Sequence, residues 1–279
     1  MMPLTERAER PTQAVPIALV RFCHWLCFAL FVLAVVLVSV DLVRPTVLPQ
    51  ALATDAGEVL LMFAIATTLF SLCRQLPAQN VLLAAVIIGL ISGVVAFVGL
   101  KTAVPFGPFL FSQDVQPQFQ GLPLFVPLVW IVTVLNSRGV ARLILRPWRK
   151  TRTYGWWAIG LTVVLCVAMD LGWEVFAGPV KRYVYWAPTK FPVSWHGVPI
   201  SNFMGWIVTL LLILAICTPA LINKRHTRST PDYQPLLVWL LLNMVFLIGA
   251  AENQLWSAVA ATAACCVVAS IFAVRGARW

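Results

Sequence analysis

The sequence predicts an all-α, polytopic bundle of transmembrane helices, and three observations carry that prediction. Of 279 residues, 61% are hydrophobic and 11% charged, against about 25% charged in an ordinary soluble domain. A soluble chain of this length could not hide so much apolar surface. Apolar runs recur along the chain, each near the roughly 20 residues that a spanning helix needs. The cations fall in alternate loops, the pattern of a membrane protein that keeps positive charge on one side.

The first run, Val15 to Val40, follows Arg7 and Arg10 and contains Arg21. It is too long for a signal-peptide core and no small-x-small cleavage site follows, so it reads as helix one, over about 16–40. Helices two and three are expected at 57–73 and 80–100, four and five at 122–144 and 156–177, and six at 202–222. The last two, 235–252 and 254–274, are separated by so little that seven spans remain an alternative to eight. Residues 1–279 read as one integral membrane domain, with no internal repeat.

With the N-terminus in the cytoplasm, fifteen Lys and Arg lie inside, and Arg44, Lys101, Lys181, Arg182 and Lys190 lie outside. Eight helices then return the C-terminus to the cytoplasm, in the cell (inner or plasma) membrane. The acids Asp41, Asp55, Glu58, Asp114, Asp170, Glu174 and Glu252 map to the outer side. The net charge of +10 thus expresses topology, and no nucleic-acid partner is expected. The run Arg138, Arg142, Arg146 and Arg149 suits contact with anionic lipids.

Two outer-face loops, 101–121 and 178–201, combine breakers with aromatics. Pro105, Pro108 and Pro117 interrupt any helix, while Phe106, Phe109, Phe111 and Phe119 stand among them. Tyr183, Tyr185, Trp186, Phe191 and Trp195 populate the second loop. Such side chains want an interface or a pocket. They form either an aromatic belt at headgroup level or two loops capping a cavity.

Several chemistries lack their motifs. His24, His196 and His226 are far apart, the seven cysteines form no C-x-x-C, and no G-x-G-x-x-G or paired-Asp metal motif occurs. No metal or other cofactor is therefore expected. What remains is carboxylates in apolar surroundings. Asp170 follows the apolar run Ala158–Met169, and Glu174 stands one turn on, beside Trp173; residues four apart share a helix face. A carboxylate at bilayer depth costs about 2.5–3.5 kcal/mol on insertion scales. Two on one apolar face do not both ionise readily, so one can keep its proton and serve as general acid. The alternative is a structural role, with Asp170 paired to Lys181 or Arg182. Asp114 is a second candidate, or else a solvated loop acid. Asn202 either caps helix six or holds a water, and His24 reads as a packed polar residue.

Pro105-Phe106-Gly107-Pro108-Phe109 and Gly121-Leu122-Pro123-Leu124-Phe125-Val126-Pro127-Leu128-Val129-Trp130 resemble a membrane family of carotenoid biosynthesis that includes the CruF-like carotenoid 1,2-hydratases. So do Asp170-Leu171-Gly172-Trp173-Glu174, Trp186, and Gly197-Val198-Pro199-Ile200-Ser201-Asn202-Phe203-Met204-Gly205-Trp206. The likeness covers roughly residues 60–215. The chain departs from the pattern at Gln113, where the family often has Asp, at Glu174-Val175 in place of Asp-Pro, and at His196 in place of Tyr.

The resemblance implies a hydro-lyase that adds water to the terminal C1=C2 bond of an acyclic carotenoid end group. Asp170 would be the acid, with Glu174 and Asp114 as further catalytic candidates. Trp173, Trp186 and Trp195 would stabilise a cation, each face contributing about 0.5–2 kcal/mol. Asn202, Phe106, Phe109 and Trp206 would complete the substrate site, with Gln113, His196 and Ser201 near the water. The implied partners are a carotenoid in the bilayer, the surrounding lipids and other carotenoid-biosynthesis enzymes. A membrane carotenoid cyclase and a non-catalytic carotenoid- or lipid-binding protein are the alternatives.

Overall fold

A computed structural model describes residues 17–189, 193–221 and 230–279. The charges before Ile17, together with Lys190, Phe191, Lys224, Arg225, His226 and Arg228, lie outside the described residues. Eight helices among the described residues are long and apolar enough to cross a membrane. They are α1 (Ile17–Val43), α2 (Gln50–Cys73), α3 (Ala78–Thr102), α4 (Phe125–Ile144), α5 (Tyr154–Val175), α6 (Ile200–Cys217), α7 (Gln234–Glu252) and α8 (Trp256–Ala277). Only Asn253–Leu255 separates α7 from α8, yet each is long and apolar enough to span, which decides between seven and eight.

Composition sorts the helices by depth. The helices α4 and α7 are mostly enclosed, and both carry buried asparagines, Asn136 and Asn243. On α1 and α8 most of the surface is apolar and uncovered, with Phe22, Leu33, Val267 and Ile271 exposed, as lipid-facing spans require. The centre is α4, which packs on α2, α3, α5, α7 and α8. Close approach is bought with glycine: a Cβ on Gly276 of α8 would lie 2.2 Å from the Leu143 carbonyl oxygen of α4.

Two apolar cores result. One joins α1, α2, α4, α7 and α8 around Phe31, Val132, Trp239 and Phe246. The other joins α3, α4, α5 and α6 around Ile88, Val134, Cys166 and Leu210. Trp173 packs against both. At the end away from the long loops, His24 is buried, its ring against the Gln234 side chain, whose Nε2 donates to Thr67 Oγ1 at 2.7 Å. This is the packed polar residue the sequence suggests.

The long loops carry a repeat that the sequence reading does not find. The strands β1 (Phe109–Phe111), β2 (Gln118–Phe119) and β3 (Leu122–Pro123) lie between α3 and α4; β4 (Val184–Trp186), β5 (Ser194–Trp195) and β6 (Val198–Pro199) lie between α5 and α6. The pairs β2–β3 and β5–β6 are two-residue hairpins of identical register. Their turns, Gln120-Gly121 (φ 51° and 89°) and His196-Gly197 (φ 50° and 89°), need positive φ at both positions, the geometry that suits strand twist and favours glycine. Each hairpin runs directly into a helix, α4 or α6. β1 and β4 then pair antiparallel across the two loops, Leu110 opposite Tyr185. So the loops form one cap, rather than a belt spread round the bundle.

Candidate active site

The site is built where this cap meets α5 and α6. Along α5, Cys166, Asp170 and Glu174 are spaced four apart and share a face, turned to the core between α4 and α6. Asp170 is 1% exposed and Glu174 6%. Neither is paired with Lys181, which instead meets Asp41 at 3.3 Å, and no Lys or Arg bridges either carboxyl among the described residues. The structure thus sets aside the ion-pair alternative for Asp170.

Glu174 opens on a cavity of about 60 Å3, lined also by Phe106, Phe109, Phe125, Trp130, Trp173, Trp186, Asn202 and Trp206. A water needs only about 10–15 Å3 of such space, so the cavity has room for water beside Glu174. Register explains the aromatic wall. The Phe109–Trp186 pairing of β1 and β4 sets those rings 5.2 Å apart. Phe106 is admitted by two glycines, because a Cβ on Gly99 or Gly205 would come within 2.8 or 2.6 Å of its ring. Ser201 Oγ donates to the Phe106 carbonyl at 3.0 Å and ties the first loop to α6.

The polar atoms in this box are unusually unsatisfied. Asn202, Trp186 and Trp206 turn polar groups toward Glu174. Even so, Glu174 Oε2, Trp186 Nε1 and Asn202 Nδ2 reach no hydrogen-bond geometry, and neither do the two Asp170 oxygens below them. A buried group left so costs about 1–3 kcal/mol, and a water in the cavity can satisfy those on its wall. Donors and an acceptor face a small cavity with a carboxyl on its wall. Such an arrangement can hold a water and can give or take a proton at Glu174.

The residues expected from sequence separate into two groups. Phe106, Phe109, Trp173, Glu174, Trp186, Asn202 and Trp206 come together on the cavity wall. Asp170 does not line it and lies one turn deeper, as the neighbour of Glu174. Trp195 stands elsewhere: its Nε1 donates to the Leu171 carbonyl at 3.1 Å, and it packs by Val175, Ala250 and Ala258. Asp114 is exposed and accepts from Ser112 Oγ at 3.1 Å. Gln113 is exposed beside it, His196 contacts Ser257 at 2.9 Å on the surface, and Ser201 is held by Phe106. None of these four reaches the small cavity. Asn202 makes no helix cap, since Pro199 occupies that position. Phe125, Trp130 and Tyr183 also stand on the wall; sequence reasoning names them in a motif or an aromatic loop without assigning them to the site. Trp130 was visible in the repeated pattern of glycine, proline and tryptophan after each hairpin.

The sequence profile of a family described as "Carotenoid biosynthesis protein" matches residues 56–269. A protein named bisanhydrobacterioruberin hydratase, from Haloarcula japonica, is 28% identical over 128 residues, which are 46% of this chain and 41% of that protein. The match thus spans less than half the length of that relative. No solved structure matches the chain.

Proposed function

This chain belongs to the carotenoid biosynthesis protein family, and on that premise we propose that it is a membrane hydratase of acyclic carotenoids. The observation that carries the reading is Glu174, a buried carboxyl without a cation partner among the described residues, on the wall of an aromatic chamber with room for water. Glu174 is taken as the acid because it, and not Asp170, reaches the cavity. Glu174 gives its proton to C2 of the terminal C1=C2 bond, and a tertiary cation forms at C1. Trp173, Trp186 and Trp206 offer aromatic faces to that cation. A water held by Asn202 bonds to C1 and returns a proton to Glu174, so the sum is addition of one water. Asp170 is the positioning partner, one turn below Glu174 on the same helix face.

The hydratase name of the Haloarcula relative supports water as the second reactant. We place both termini and the turn at 145–153 on the cytoplasmic side of the cell membrane, because most of the cations stand there. Expression in a lycopene-producing host tests the reaction. A pigment heavier by one water, made by the wild type and not by Glu174→Gln, is expected; unchanged pigment from the wild type would overturn hydration of that end group. A labelling reagent that does not cross the membrane, reaching a cysteine placed at Arg149 from outside, would overturn the topology.

A further inference from the structure

A second cavity, of about 700 Å3, lies between α1, α2, α4, α5 and α7. It falls within the range of ligand sites, whereas the chamber at Glu174 is too small for an isoprenoid end. The two spaces share a partition made by Phe125, Val129, Trp173 and Tyr183. In that partition Phe125 meets Trp173 edge-on and Tyr183 at a tilt, both with centroids 6.1 Å apart.

The larger cavity has two unlike ends. Its depth is apolar, with Leu60, Val132, Met169, Leu242, Val245 and Phe246. Its mouth, under the loop cap, carries Asp41, Glu58, Asp114, Lys181, Arg182 and Tyr183. Three carboxylates stand there against two cations, and Lys181 is already bound to Asp41. Such a mouth repels a phosphate headgroup, while its donors and acceptors suit a neutral hydroxyl or a water. The Tyr183 phenol stays a donor, since burial, then the charges of Glu58 and Asp41, hold it above the ordinary tyrosine range.

We propose that the 700 Å3 cavity seats the hydrocarbon chain of an isoprenoid substrate, its end group under the polar mouth and against the Trp173–Phe125 partition. The inference rests on the hydratase reading for the identity of the chain, but not on Glu174 being the acid. Displacing the partition joins the two spaces. The acid and the water held by Asn202 then reach the end group from the chamber, and the polar mouth accommodates the new hydroxyl.

The test uses purified full-length protein in detergent, with lycopene as probe. Two substitutions fill the cavity. Leu242→Trp does so in its depth. Gly57→Phe does so at the mouth, from an exposed helical position whose Cβ would meet only the Tyr183 hydroxyl, at 3.7 Å. Each should weaken lycopene binding at least about tenfold, with turnover lost in step. Glu174→Gln should bind as the wild type does and fail only in turnover. A third variant, Gly57→Cys, adds little bulk, and site-resolved maleimide labelling there should slow several-fold when lycopene is added. Unchanged lycopene binding in both filled variants, unchanged labelling at Gly57→Cys, or stoichiometric phospholipid in the purified wild type that is lost on filling would each overturn the proposal. An active Glu174→Gln enzyme would instead remove the acid and leave the cavity assignment standing.

Discussion

Trp130 and Trp206 stack face to face, their ring centroids 3.8 Å apart and their planes 11° from parallel. Each is the ninth residue beyond the glycine of its hairpin, Gly121 or Gly197. The stack joins equivalent positions of two α-loop-α halves, as the β1–β4 pairing does above it. The halves are not chemically alike. Where α6 has Asn202 at the fifth position after its hairpin glycine, α4 has Val126, and neither α3 nor α4 holds a carboxylate. The site lies between the halves and takes its acids from the second alone.

Loss of the stack should be felt in stability first. Trp206→Ala should cost about 3–5 kcal/mol as a large-to-small change in the core. In a double-mutant cycle with Trp130→Ala, the pair should show a coupling of about 0.5–1.5 kcal/mol. Thermal unfolding in detergent measures both, and additive effects would show that the rings only fill space.

The acids should rank in the order of their access to the chamber. Glu174→Gln should lower turnover about 10²–10⁴-fold, the usual worth of a general acid. Asp170→Asn should lower it less, since that side chain acts through its neighbour. Sequence reasoning puts Asp170 first, and product formation by isolated membranes decides between the two orders.

The contrast shows what the sequence carries. Apolar run length located the helices, since it depends on the bilayer alone, and left open only the division of the last two. The four-residue spacing of Asp170 and Glu174 put them on one face, because helical geometry is local. Which of them meets the cavity depends on where Phe106 and Trp186 arrive from distant loops, and no local signal encodes that. Trp195 was grouped with the site because its loop neighbours are aromatic. One hairpin register turns it instead to the Leu171 carbonyl.

Gly205 is a second control point. A Cβ there would come 2.6 Å from the Phe106 ring and 3.1 Å from the Pro105 backbone. Gly205→Ala should therefore displace Phe106, cost about 1–3 kcal/mol through overpacking and reduce turnover. Gly160 has open space at the same test, so Gly160→Ala should leave turnover as it is and raise stability by about 0.4–1 kcal/mol.

Alkaline pH should weaken the cap through Tyr183. Burial and the neighbouring Glu58 and Asp41 raise its phenol above the ordinary value, which is about 10. The unfolded chain therefore loses this proton first. The stability that the neutral phenol contributes is complete below about pH 10 and declines as pH rises beyond it. Tm followed from pH 9 upward should fall less steeply in Tyr183→Phe; parallel curves would remove Tyr183 as the cause.

The source of the added oxygen tests the central claim most directly. Wild-type membranes supplied with an acyclic carotenoid in 18O-labelled water should yield a product with a tertiary hydroxyl at C1 carrying the label. Residual product from Glu174→Gln should be at least about 10²-fold lower and carry the same label; label arriving from oxygen gas, or a ring product with no added mass, would contradict acid-catalysed hydration.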